Sequence, residues 1–199
     1  MRTPSIYFTS DHHFGHRAII EMCARPFDDV DAMDRAMIQA WNSIVQPHDT
    51  VWHLGDFAHR CSVERTESIF KMLNGTKNLI LGNHDRQATT RLPWAWRGDF
   101  KHLVLDDVQV NLSHYGMRVW PGLHRGSIML YGHSHSTLPG ARNTIDVGVD
   151  NTGFVPQTLA QLRSRMALLP RLAFDVGRPL GEHDDDDEMG LDSDEGVTP

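Results

Sequence analysis

Short apolar runs alternate with stretches in which apolar residues recur every three or four positions. Ser5 to Thr9, Thr50 to Leu54, Asn78 to Leu81, His102 to Leu105, Val108 to Leu112, Ser127 to Tyr131 and Thr144 to Val147 are short and rich in β-branched or aromatic residues. These lengths predict buried strands. Met33, Met37, Ala40, Trp41 and Ile44 make one apolar helical face, for which Asp31 is a candidate cap. Val63 to Leu73 reads as a second helix, with Gly75 just beyond it as a stop. Leu159, Leu162, Met166 and Leu169 mark a third, ended by Pro170. Arg91 to Gly98, with Pro93, Trp94 and Trp96, reads as a loop. The order is β-α-β-α-β followed mostly by strands, which predicts an α/β domain with two packed sheets.

Polar motifs follow the apolar runs. They are Asp11-His12-His13, Gly55-Asp56, Gly82-Asn83-His84-Asp85, Ser113-His114 and Gly132-His133-Ser134-His135. In an α/β sheet the carboxyl ends of strands are where ligands gather, so motifs distant in sequence can converge there. If the strands continue through them, Asp11 and His13 face one side and His12 the other, and His133 and His135 likewise share a side. Asp, Asn and His without thiolate are the donors that adjacent divalent cations need to attack a phosphate ester.

The order Asp-x-His, Gly-Asp, Gly-Asn-His-Asp, His, Gly-His-x-His resembles the calcineurin-like metallophosphoesterases, and covers Ser10 to His135. Phe8 to His16 also resembles small phage and bacterial members. The resemblance implies a four-layer αββα sandwich with two mixed sheets flanked by helices, and a dinuclear centre. It implies that Asp11, His13 and His135 hold one metal, that Asn83, His114 and His133 hold the second, and that Asp56 bridges them. The nucleophile would be a metal-bridging hydroxide, and His84 the general acid, with Asp85 a candidate to orient it. In the protein-phosphatase branch an Asp and then an Arg follow the Gly-Asp motif. Here His59 and Arg60 stand there, which counts against a Ser/Thr protein phosphatase.

His16 and Arg17 follow the first motif and, with Arg60, are candidate contacts to substrate phosphate. His12, His53 and His59 read as packing or supporting groups, and Asp146 and Asp150 as turn or supporting residues. Trp94, Trp96 and Trp120 fall in loops, where they would either stack on a base or anchor the chain.

Composition narrows the class. The chain of 199 residues is 40% hydrophobic and 23% charged, as expected of one globular domain. The net charge of −7 is concentrated at one end: Glu182 to Pro199 holds nine acidic residues and no Lys or Arg, leaving 17 acidic against 19 basic residues elsewhere. A domain over residues 1–181 and an acidic, disordered tail over 182–199 are therefore expected. Cys23 and Cys61 fit neither a disulfide framework nor a zinc spacing. Without an apparent signal peptide or membrane span, the expected location is the cytoplasm and no membrane partner is expected.

The expected function is a metal-dependent phosphoric ester hydrolase using two divalent ions (Mn, Fe, Zn or Ni). Phosphodiesters, with broad phosphoester tolerance, are preferred over monoesters. Nucleotide or nucleic-acid substrates stay open, although a core without a basic stripe weighs against a nuclease. A non-catalytic protein-binding scaffold on the same fold is the alternative of another class.

Overall fold

The computed structural model describes residues 3–172; the acidic segment 182–199 lies outside them. Four strands, β1 (Ile6–Thr9), β2 (Thr50–His53), β3 (Thr76–Ile80) and β4 (Trp96–Gly98), run parallel in the order β4-β3-β2-β1. β5 (Phe100–Leu105), β6 (Val108–Ser113), β7 (Ile128–Tyr131) and β8 (Thr144–Asp146) form a second sheet in chain order. There β5 is antiparallel to β6, and β6, β7 and β8 are parallel. β9 (Gln157–Thr158) pairs antiparallel with β1 and completes the first sheet.

Alternation along the strands builds two cores. Tyr7 and Val51 face outward onto α2 (Val30–Ile44) and α3 (Val63–Met72), where Met33, Met37, Trp41, Ile69 and Phe70 are buried. Phe8, Trp52 and Ile80 face inward and meet Val110, Leu112, Ile128, Leu130 and Ile145 of the second sheet. Leu159, Leu162 and Met166 of the helix Leu159–Met166 close this inner core. Burying a side chain of this size stabilises the fold by about 1.5–3 kcal/mol. The result is two mixed sheets flanked by helices, as expected. The outer face of the second sheet is covered thinly, Trp120, Met129 and Tyr131 packing under Met117 and Leu123. No helix among the described residues is long and apolar enough to cross a membrane.

Several local expectations change. The cap of α2 is Asp29, whose carboxylate accepts the Ala32 N–H at 2.7 Å. Asp31 instead lies in the first turn and pairs with Arg65 at 2.6 Å. The helix thus begins at Val30, two residues before the start an Asp31 cap would give, and Val30 packs partly buried against the outer core. Within the predicted loop Arg91 to Gly98, Trp96–Gly98 pairs with Asn78–Ile80 as an edge strand. A three-residue strand carries no periodicity of its own, so pairing alone defines it. The Trp residues are packing groups: Trp94 is set against Phe57 and Phe70, Trp96 lies 5.4 Å from Trp52, and Trp120 is buried and donates to Ser127.

Candidate metal centre

The loops after β1, β2, β3, β6 and β7 converge where the two sheets meet, and a parallel bridge from Ser10 to Gly148 joins the sheets there. Two sets of candidate donors result. Asp11, His13 and His135 have ligand atoms all within 4.8 Å of one another, as do Asp56, His114 and His133. Between them lies Asp56 Oδ2, 3.4 Å from His13 Nε2 and 3.6 Å from His114 Nε2. Asn83 joins the second set, its Oδ1 3.0 Å from His114 Nε2.

The shared facing of Asp11 and His13 does not come from strand alternation. β1 ends at Thr9, and Asp11 and His13 have φ of 59° and 52°. Asp56, His133 and His135 have φ of 57°, 66° and 44°. Each left-handed, non-glycine backbone costs of order 1–3 kcal/mol, and such strain clusters at functional sites. Glycines give the ligands room. Gly55 has φ 97°, and a Cβ there would lie 2.5 Å from His114 Nδ1; a Cβ on Gly132 would strike the side chains of Ser10 and Asp11.

Donor chemistry fits cations. Asp11 Oδ2 accepts the His133 N–H at 2.9 Å, whereas its Oδ1 and both ring nitrogens of His13 are buried with no hydrogen-bond partner. Burial raises the Asp11 pKa, against the lowering effect of His135, and depresses that of His13, with His135 and Arg25 adding to the depression. A buried acid and a buried neutral imidazole with free lone pairs are unfavourable unless something cationic is shared between them. His114 is also lowered, by burial above all. With its Nδ1–H directed to the Leu54 carbonyl at 2.7 Å, His114 presents a bare Nε2 beside the Asn83 oxygen.

Supporting contacts fix the loops. Asp85 does not address the His84 ring. Its Oδ2 accepts the N–H groups of Asp56 and Gly82 and its Oδ1 that of Phe57, each at 2.9 Å. It thereby ties the β2 and β3 loops together, with its pKa pushed up to about 7 by burial. His84 donates its backbone N–H to Asp56 Oδ1 at 2.8 Å, and its ring lies 5.4 Å from that of His13. Asp146 accepts from Ser134 Oγ and the Ser136 and Gly148 N–H groups, holding the last loop. His12 and His53 turn into the core, Nδ1 to Nε2 at 3.0 Å.

Arg25 is the residue that sequence reasoning passed over. Its guanidinium is fully buried, binds Asp150 twice, at 2.8 and 2.9 Å, and donates to the carbonyls of His12 and Asp11 at 2.8 and 2.7 Å. No local motif marks it; only the folded chain brings it under the first loop. Asp150 in turn accepts from His135. Of the substrate-contact candidates, His16 is buried and lies beside His13 and His59. Arg60 is exposed at φ 53°. Arg17 is exposed at the cap of the five-residue α1 (Ala18–Met22), with no bond to the site among the described residues.

The calcineurin-like phosphoesterase superfamily domain matches residues 5–170, and the chain belongs to that family. An uncharacterized protein of Methanocaldococcus jannaschii is 27% identical over 167 residues, spanning 80% of this chain and 89% of its own. The Gene 66 protein of Mycobacterium phage D29 is 30% identical, spanning 73% of this chain and 88% of its own. A crystal structure of an Aquifex aeolicus protein of unknown function shares the fold, with a TM-score of 0.68 at 22% identity, covering 82% of this chain and all of that one. Family membership makes the protein a phosphoesterase-type hydrolase acting on phosphoesters, with candidate metal-binding groups in place.

Proposed function

We propose that the protein hydrolyses phosphodiesters at a centre of two divalent cations. The observation that carries this reading is the position of Asp56 Oδ2 between His13 and His114, one from each donor set. Asp11, His13 and His135 would hold one cation and Asn83, His114 and His133 the other, with Asp56 shared. Cations so placed supply Lewis acidity and a nucleophilic water at neutral pH.

The chain's own groups do the remainder. Asp56 is fixed by the His84 N–H and, through Asp85, by the neighbouring backbone. The His84 ring stands at the mouth, partly exposed, and donates a proton to the leaving oxygen. Asn83 and His133 are exposed, so the second set opens to solvent. An open mouth suits a diester with a group on each side of phosphorus. Donors of carboxylate, amide and imidazole type suit Mn, Fe, Zn or Ni. The free cysteines Cys23 and Cys61 fit a cytoplasmic setting.

Metal-stripped protein reloaded with single metals should be assayed on a phosphomonoester, a phosphodiester, cyclic nucleotides and single-stranded DNA. Diester hydrolysis should dominate. Dominant DNA cleavage would make it a nuclease, and no turnover with any metal would leave the scaffold reading.

A further inference from the structure

We propose that Tyr115, continued by Leu138, is a platform for a flat aromatic group of the substrate, the ester group that stays on phosphorus when the other leaves. The proposal rests on the diesterase reading above and names the class of diester. The Tyr115 ring lies edgewise against two candidate ligands of the second set, its centre 4.7 Å from that of His133 and 5.0 Å from that of His114. It is nevertheless 47% exposed. Among the described residues Tyr115 is the only Phe, Tyr or Trp that is exposed, and its hydroxyl has no hydrogen-bond partner. Trp94, Trp96 and Trp120 serve packing, so the open aromatic surface is the one at the metal centre.

The platform extends beyond one ring. Tyr115 N–H donates to Ser113 Oγ at 3.3 Å, which ties the loop to the end of β6. Gly116 follows, and a Cβ there would lie 2.6 Å from Leu138 Cδ2 and 3.3 Å from the Tyr131 ring. The missing side chain thus lets Leu138, 46% exposed, lie flat against the chain next to Tyr115. The Leu138 carbonyl accepts the Tyr131 hydroxyl at 3.3 Å. Thr137 folds back onto the Ser134 carbonyl through its N–H and its hydroxyl, fixing this side to the loop that carries His133. Exposed apolar surface continuous with a polar site is where the apolar part of a ligand is held.

The flank beside His84 has a different character. The His84 ring meets those of His13 and His59, at 5.4 and 4.3 Å, and the charges of the exposed Arg60 and Arg86 are felt at His59. His84 marks the leaving-group side, so the departing oxygen meets polar and charged groups. The group retained on phosphorus meets the uncharged strip of Tyr115, Gly116 and Leu138. A flat ring stacks on such a surface, whereas a small alkyl group gains little from it.

The test holds the leaving group constant. Mn-loaded protein is assayed on thymidine 5′-(p-nitrophenyl phosphate), bis(p-nitrophenyl) phosphate and methyl p-nitrophenyl phosphate, which all expel p-nitrophenolate and differ in the group retained. kcat/KM should be about ten- to a hundredfold higher for the thymidyl than for the methyl ester, the range one stacked ring supplies, with most of the gain in KM. A gain shared by the bis ester would admit any aryl group; a gain confined to the thymidyl ester would select a nucleobase. Tyr115→Phe should keep the preference, and Tyr115→Leu should erase it while leaving apolar cover on the two imidazoles. Because the ratio is taken within one variant, a change in metal content cancels. Equal values for the thymidyl and methyl esters in the wild type would overturn the platform. So would a preference that survives Tyr115→Leu or is destroyed by Tyr115→Phe. Calorimetric titration with thymidine 5′-monophosphate and methyl phosphate repeats the comparison without turnover. A preference seen there and lost in Tyr115→Leu, with no diester hydrolysed, would keep the platform and count against the diesterase reading alone.

Discussion

His135 Nδ1 lies 2.6 Å from Asp150 Oδ2. This contact fixes the ring so that Nδ1 carries the hydrogen and Nε2 keeps a lone pair for the candidate cation. Partners of this kind typically account for 10–100-fold in metal affinity. Asp150→Asn should therefore weaken binding at the Asp11 set by about that factor, measured by competition with a chelator. Unchanged affinity would show that packing alone orients His135.

The same pair predicts a pH window for the metal-free protein. Burial alone would raise the Asp150 carboxyl, but hydrogen bonds from His135 and Arg25 outweigh it and hold it below its ordinary value. Its stabilisation is then present above the unfolded carboxylate pKa of about 3.9 and is lost as pH falls through the folded value. His135 behaves oppositely. Burial opposes its charge, yet Asp150 and Asp11 raise it, so its contribution is full below the unfolded pKa of about 6.5 and fades as pH rises. The melting-temperature gap between wild type and Asp150→Asn should be widest between those values. A gap that is flat from pH 3 to 8 would refute the linkage.

Asp85 works through backbone. Its carboxylate serves three N–H donors from two loops, and an amide of the same shape has one acceptor atom fewer. Asp85→Asn should lower thermal stability by about 1–3 kcal/mol and loosen Asp56, so that metal occupancy drops along with turnover. Full occupancy with turnover lost would instead place Asp85 in the chemistry.

For His84, the leaving group is the probe. His84→Ala should slow a poor alkoxide leaving group by about 10²–10⁴-fold and an activated nitrophenyl ester far less, with metal content retained. Equal loss on both substrates would remove the proton-donor role.

Below the site, His12 and His53 share one hydrogen bond, while His12 Nε2 and His53 Nδ1 are buried and unpartnered. Burial keeps both rings neutral, His53 being pushed down to about 3. Substituting either alone with an apolar residue orphans the other and should cost about 1–3 kcal/mol. His12→Phe with His53→Leu should cost less than the two singles added, which a denaturation double-mutant cycle would read. Strict additivity would mean the contact carries no energy.

Much of the site was legible in the sequence because strand-end motifs advertise themselves. An apolar run followed by Asp-x-His or Gly-Asn-His-Asp joins a period-two pattern to donor residues, and both are local signals. Asp85 was found but given the wrong neighbour: sequence adjacency suggested the His84 ring, whereas the turn directs the carboxylate to the amides of Gly82, Asp56 and Phe57. His59 was read as a supporting group, and its ring packs between those of His16 and His84.

The sequence by itself determined the principal strands and helices and the candidate donor residues, since periodicity and residue chemistry are properties of short stretches. It also marked the family through the order of its motifs. Only the tertiary structure decided how Asp11 and His13 come to share a side, because that depends on left-handed backbone beyond the end of β1. Tertiary structure alone also brought Arg25 to Asp150, 125 positions away, under the first loop. A buried guanidinium is stable only where carboxylate and carbonyls surround it, and those partners exist together only once the two sheets have met.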